Sequence, residues 1–251
     1  MRYAIVTGTS RGLGEAIVRK LLEQEIIVFS ISRSRNTSLE EFAKQTNTLF
    51  YPFSFDLSNI DSIADLTDEI FALMDVDSAQ ALYLINNAGM LAPIKPIGRA
   101  ETKQLITNVH VNLLAPMLLT HEFLKRTQDA PVDKRIVNIS SGAGTSPYYG
   151  WGAYCTAKAG INMFTRCIAL EEEGKEYPVK VISFAPGVVD TDMQAEIRST
   201  DKEDFMNVER FHALKEEDKL LSPDYVAQAV VNLLQANDFE QGGVIRIDEK
   251  S

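Results

Sequence analysis

The sequence predicts a doubly wound α/β fold of the Rossmann type, a parallel sheet of about seven strands with helices on both faces. Three observations carry that expectation. Short apolar runs recur along the chain, segments with helical periodicity separate them, and a glycine-rich turn stands between the first run and the first helix.

The strand-like runs are 3–7, 26–31, 49–53, 81–86, 135–139, 179–185 and 244–247. They are apolar nearly throughout rather than alternating, as strands buried on both faces must be. Helical patterns occupy 13–24, 60–74, 102–126, 152–173 and 223–235. Strand and helix alternate to the end with no repeat or linker, so right-handed crossovers give one domain over 1–251. The segment 192–221 departs from the alternation. It is polar and charged, yet carries Met193, Ile197, Phe205, Phe211 and Leu214 near helical spacing, and it reads as an inserted helical lid over a substrate cleft.

Composition excludes several classes. With 45% hydrophobic and 24% charged residues the chain is an ordinary globular one, and 35 acidic against 25 basic residues leave a net charge of -10, which argues against nucleic acid as a partner. No run reaches the ~18 apolar residues of a membrane span, and strand-like sequence begins at once, so no membrane association is expected and a cytoplasmic location is. Cys155 and Cys167 fall in one helical pattern about 18 Å apart, too far to bridge. His110, His121 and His212 are scattered, and no metal site is expected.

The first turn reads TGTSRGLG, Thr7 to Gly14. Gly8, Gly12 and Gly14 allow a sharp turn and close approach of a ligand, and the helix opening at Gly12 aims its free N–H groups at an anion. Ser10, Arg11 and Leu13 share that loop, which suits a pyrophosphate. Folds that take NAD place a carboxylate after the second strand to hold the ribose 2′-OH. Here the position reads Ser32-Arg33-Ser34-Arg35, so Arg33 with Arg35, and Arg11 beside them, favour the 2′-phosphate of NADPH or NADP.

Four further stretches follow in order: Asn86-Asn87-Ala88-Gly89, IVNISS from Ile136 to Ser141, Tyr154-Cys-Thr-Ala-Lys158, and Pro186-Gly187 with Thr191. With the glycine turn they resemble the short-chain dehydrogenase/reductase family, from Arg2 to about Asp248. The resemblance implies that Tyr154 is the catalytic acid, Lys158 its activator, Ser141 the carbonyl binder and Asn112 part of a proton relay. It also implies adenine contact at Asp56 and Leu57, ribose contact at Asn87 and Ala88, and a carboxamide partner in Thr191. Gly89, Pro186, Gly187 and Val189 join Tyr154 and Lys158 as further cofactor contacts.

The chemistry is reachable independently. A tyrosine with an ordinary pKa near 10 needs a positive charge beside it to exchange protons at neutral pH, and Lys158 lies four residues on along one helical face. Ser141 would bond the substrate oxygen as alkoxide character develops, whereas Ser140 points to the opposite side of an extended chain. Asn112 precedes Pro116 by four, where a proline removes one backbone hydrogen bond and bends the helix; the resemblance implies that a distortion at this Asn leaves a carbonyl free to hold water.

Within the family the sequence is similar to the bacterial sepiapterin-reductase-like branch, which includes benzil reductases forming (S)-benzoin. The short N-terminus, the segment SSGAGTSPYYGWGAYCTAKAG and the ending GGVIRIDEKS carry this. It implies an NADPH-dependent carbonyl reductase for a vicinal dicarbonyl such as benzil, or a pterin side-chain ketone such as sepiapterin. Tyr148, Tyr149 and Trp151 are candidates for an aromatic wall, and Asp248, or Glu249 beside it, for a pterin anchor. A homo-oligomer is expected, with a dimer favoured. Two other readings are a 3-ketoacyl-acyl-carrier-protein reductase, against which the net charge speaks, and a non-catalytic NADPH sensor, against which the complete Ser-Tyr-Lys-Asn set speaks.

Overall fold

The computed structural model of the chain describes residues 1–247. Seven parallel strands form one sheet: β1 Arg2–Thr7, β2 Ile27–Ser32, β3 Phe50–Ser54, β4 Ala81–Asn86, β5 Asp133–Ile139, β6 Lys180–Ala185 and β7 Val244–Arg246. Their order is β3-β2-β1-β4-β5-β6-β7. The direction of winding reverses between β1 and β4, which opens a crevice at the carboxyl ends of the strands there. All six residues of β4 are buried, as an apolar run at the centre of a parallel sheet should be. Pro52, which has no N–H to donate, lies in the edge strand β3 opposite Ser30 of β2.

The helices are α1 Gly12–Glu23, α2 Thr37–Gln45, α3 Ile63–Phe71, α4 Thr102–Val109, α5 Ala115–Thr127, α6 Gly152–Glu171, α7 Asp192–Arg198, α8 Val208–Glu216 and α9 Pro223–Gln235. Alternate residues of the strands β1 to β6 feed two separate cores. Ala4 and Val6 pack with α1, α2 and α9 on one face, and Tyr3 and Ile5 with α3, α5 and α6 on the other.

Three sequence expectations need correction. The sequence pattern left 37–45 without a helix, yet Asn36 caps one there, its Oδ1 accepting from Leu39 N at 3.2 Å, and Leu39 and Ala43 bury one face. The helix expected over 60–74 begins as a 3-10 turn, Ile60–Ser62, and ends at Phe71. The helix expected over 102–126 is not continuous in type: a π-helical turn, His110–Leu114, separates α4 from α5. Pro116 explains the interruption, since it cannot donate to Asn112 in the ordinary i to i−4 pattern.

Candidate active site

The crevice is a cleft of about 1060 Å³ that runs from the glycine turn to the helices α7 and α8. Its floor is built by close backbone approach. Gly8 has φ +72°, and a Cβ there would meet Ala88 Cα at 2.8 Å; one on Gly14 would meet Gly8 O at 2.1 Å. The turn is tied to the segment after β4. Thr7 Oγ1 accepts from Asn87 N at 3.0 Å and Ala88 N at 2.9 Å, and Asn87 Nδ2 donates to Thr7 O at 2.9 Å and Gly8 O at 3.2 Å. Asn87 therefore holds the loop through its amide while also lining the cleft.

Arg11, at the N-cap of α1, makes no side-chain capping bond, and Gly12, Leu13 and Gly14 of the first turn line the cleft. Uncapped N–H groups at a helix N-terminus facing a cavity fit a pyrophosphate. Ser10, Asp56, Leu57, Ala88 and Gly89 line the same cleft, and so do Pro186, Gly187, Val189 and Thr191. Thr191 Cγ2 would lie 3.2 Å from a Cβ on Gly12, so this residue crosses close above the turn.

The three arginines expected around a 2′-phosphate differ in their engagements. Arg33 lines the cleft and lowers the pKa of Asp56, secondary to the hydrogen bond that Asp56 accepts from the Ser58 backbone. Arg11 pairs with Asp192 at 2.8 Å, both exposed. Arg35 corrects the expectation: its guanidinium is held by Glu40 through Nε to Oε1 at 2.9 Å and Nη2 to Oε2 at 2.8 Å, and it does not line the cleft. Glu40 belongs to α2, the helix the sequence pattern missed.

Tyr154 and Lys158 project from one face of α6, with Lys158 Nζ 5.6 Å from the Tyr154 ring centroid. Both are buried, at 7% and 5% exposure. Burial pushes the Tyr154 hydroxyl up to about 12, with a polar contact from Ser141 working the other way. Burial pushes Lys158 down to about 8. Lys158 Nζ donates to Ile139 O at 2.7 Å, which fixes it beneath the end of β5. Ser141 faces the cleft, and its Oγ accepts from Ala143 N at 3.1 Å. Ser140 turns away, its Oγ 2.6 Å from Asn162 Oδ1.

Asn112 sits in the π-helical turn, buried behind Gly89, and does not line the cleft. Its Oδ1 accepts from Met90 N at 3.0 Å, and its Nδ2 donates to Met90 O at 2.8 Å and Asn108 Oδ1 at 3.0 Å. A Cβ on Gly89 would approach Asn112 Oδ1 at 3.1 Å and Lys158 Nζ at 3.8 Å, so a larger residue there would press on the Asn112 amide. Asn108, which sequence reasoning did not single out, donates to the carbonyls of Met90, Leu91 and Ala92 at 3.2, 3.1 and 2.8 Å. Its position four residues before Asn112 on one helix face was the available signal.

The far end of the cleft is built from side chains. Trp151 stacks on Phe205 at 4.6 Å and 9°, meets Tyr154 edge-on at 5.7 Å and Tyr148 at 4.9 Å. Ile197 of α7 and Val208 and Phe211 of α8 join the same cluster. Trp151 and Tyr148 line the cleft, whereas Tyr149 stands outside it. The connection between α7 and α8 is pinned by Arg99 Nη2, 3.0 Å from Asp204 Oδ1. Asp248 and Glu249, the expected pterin anchors, lie outside the described residues.

Sheet order, glycine turn and the Ser-Tyr-Lys set together define a nicotinamide-dependent oxidoreductase. The chain belongs to the short-chain dehydrogenase family, whose description "short chain dehydrogenase" matches residues 2–202. It is 59% identical over 249 residues to benzil reductase ((S)-benzoin forming) of Bacillus cereus, covering 99% of this chain and 100% of that one. It is 33% identical to sepiapterin reductase of Meriones unguiculatus over 95% of this chain and 93% of that one. Among solved structures, the KRED1-Pglu enzyme superposes with a TM-score of 0.84 at 29% identity, over 98% of this chain and 100% of that one. Among the described residues no helix is long and apolar enough to cross a membrane.

Proposed function

We propose that the protein is an NADPH-dependent carbonyl reductase that converts one carbonyl of a vicinal diketone such as benzil to the alcohol, (S)-benzoin, with a sepiapterin-type side-chain ketone as a related substrate. The observation that carries this is the buried Tyr154 hydroxyl between Ser141 and Lys158. The names of the relatives at 59% and 33% identity support the substrate class. A complete catalytic set also speaks against a merely cofactor-sensing role.

Bound NADPH supplies the hydride that such a reduction consumes. Gly8, Gly12 and the open N-terminus of α1 hold its pyrophosphate, Arg33 its 2′-phosphate, and Thr191 its carboxamide. Ser141 donates a hydrogen bond to the carbonyl oxygen, a contact that strengthens as negative charge grows there. Tyr154 gives that oxygen its proton. With a pKa pushed up to about 12 the hydroxyl is fully protonated at neutral pH, and what it lacks is stabilisation of the phenolate it becomes. Lys158 supplies it: pushed down to about 8, the ammonium still carries its proton at pH 7. The unpartnered main-chain carbonyl expected at Asn112, four residues before Pro116, holds a water through which the tyrosine is reprotonated. The helices α7 and α8 close the substrate end, and the protein works in the cytoplasm as a homodimer, for which the exposed Met163 and Leu170 of α6 offer an apolar contact.

The test is a coupled assay in which purified protein, benzil and either NADPH or NADH are followed by cofactor absorbance, with chiral analysis of the product. Stoichiometric oxidation of NADPH, at least tenfold slower with NADH, and formation of (S)-benzoin are expected. Absence of turnover with benzil and with sepiapterin would overturn the substrate class.

A further inference from the structure

The charges that line the cleft do not balance at its substrate end. Among the described residues four carboxylates line it, Asp56, Asp190, Asp192 and Glu196. Each already has a donor or a cation. Asp56 accepts from Ser58 N at 2.9 Å; Asp190 pairs with Lys215 at 2.8 Å; Asp192 pairs with Arg11 at 2.8 Å; and Glu196 lies in the field of Arg11. Of the five cations lining it among the described residues, Arg11 is taken by Asp192, Arg33 belongs to the cofactor end and Lys158 to the reacting centre. Two remain, Arg210 on α8 and Arg246 at the end of β7. Arg246 Nη2 is fixed on Thr145 Oγ1 at 2.7 Å, just past the turn that carries Ser141, and has no carboxylate partner among the described residues. The Arg210 side chain makes no hydrogen bond or ion pair among the described residues.

A chain of net charge -10 has many acidic side chains with which to neutralise a surface arginine. Two guanidiniums on the rim of one concave site that have no carboxylate partner among the described residues raise the local concentration of anions there. Next to Arg210 the lining is apolar and aromatic, with Phe211, Ile197, Trp151 and Tyr148. An apolar slot with a cationic rim fits an aromatic or aliphatic body that ends in a carboxylate, the planar group a guanidinium grips with two parallel hydrogen bonds.

We propose that Arg210, with Arg246 beside the Ser141 turn, is a specificity-determining residue that selects carbonyl substrates bearing a carboxylate at the end remote from the reacting ketone. This rests on the carbonyl-reductase reading and narrows its substrate class. Neutral diketones such as benzil fill the apolar slot and leave the rim unpaired, whereas the preferred substrate is a keto acid whose anion meets Arg210 on the lid.

Benzil and benzil bearing one 4-carboxylate share a reacting centre and differ in charge, so their ratio of kcat/KM isolates the rim. In wild type the carboxylated compound should be favoured by about two- to fivefold, the range for an exposed ion pair, and the preference should shrink as salt is raised. Arg210→Gln should bring the ratio close to one, and Arg210→Lys should retain part of the preference. An unchanged ratio in Arg210→Gln, or a wild-type preference for neutral benzil, would overturn the proposal. Binding is read separately from turnover, because Trp151 is the single tryptophan and lines the same cleft. Quenching of its fluorescence should give a lower Kd for the carboxylated than for the neutral compound. Equal values would overturn the inference even where the protein reduces benzil, whereas a charge-dependent Kd without any turnover would leave the rim standing and remove the reductase reading.

Discussion

The two ends of the cleft are made of different material. At the cofactor end the surface is backbone: Gly8 against Ala88, Gly14 against Gly8 O, and N–H groups of α1 that no side chain caps. At the substrate end it is side chain: Trp151 on Phe205, Phe211 and Ile197, held over the sheet by two short helices. A ligand common to a whole family can be met by backbone, whose geometry tolerates no Cβ and so leaves glycines in the sequence. A ligand that varies is met by side chains, which change without disturbing the sheet.

The sharpest way to break this contrast is Gly14→Ala. Its Cβ would sit 2.1 Å from Gly8 O, a contact only backbone movement can relieve. NADPH affinity should fall by a hundredfold or more, as measured by fluorescence titration, because overpacking at this scale costs about 1–3 kcal/mol or more even where a core can adjust. Binding within threefold of wild type would show that the turn is not rigid.

Trp151→Ala probes the other end. Removing a large buried aromatic costs about 3–5 kcal/mol where the surroundings cannot collapse, and here the loss falls on the α7–α8 cluster. KM for benzil should rise by tenfold or more while the Kd for NADPH stays within about twofold. Parallel losses in both would mean that the two ends are mechanically one.

Arg33→Ala removes a single contact at the cofactor end and is expected to act on one cofactor alone. Loss of one charge-assisted contact to the 2′-phosphate costs on the order of 1.5–3 kcal/mol, so NADPH should weaken by roughly ten- to a hundredfold and NADH should barely change. Equal weakening of both cofactors would make Arg33 structural. Arg35→Ala is the control, since Glu40 already holds that side chain away from the cleft.

What the sequence disclosed follows the same division. The strands and the glycine turn were legible because burial on both faces and absence of a Cβ leave marks in residue type alone. The roles of Arg33 and Arg35 could not be separated, because the partner that decides the matter, Glu40, sits on a short helix whose cap, Asn36, lies in a stretch rich in turn-forming residues. The break in the 102–126 helix was foreshadowed by Pro116, yet its π-helical form depends on Asn108 and Asn112 bonding the loop after β4, a tertiary contact no periodicity records. In the segment 192–221 the apolar spacing of Ile197, Phe205 and Phe211 was visible, but not that Arg99 and Asp204 would pin the connection between its helices.

The central claim is that Tyr154 donates the proton and Lys158 makes that possible. Tyr154→Phe removes one oxygen from a ring that Trp151 and the α6 packing hold in place, so fold and cofactor binding should survive. Turnover of benzil with saturating NADPH is the direct measurement. The expected result is a fall in kcat of about a hundredfold or more, the scale of a lost general acid, with NADPH still bound. A folded Tyr154→Phe protein that reduces benzil at close to the wild-type rate would contradict the account.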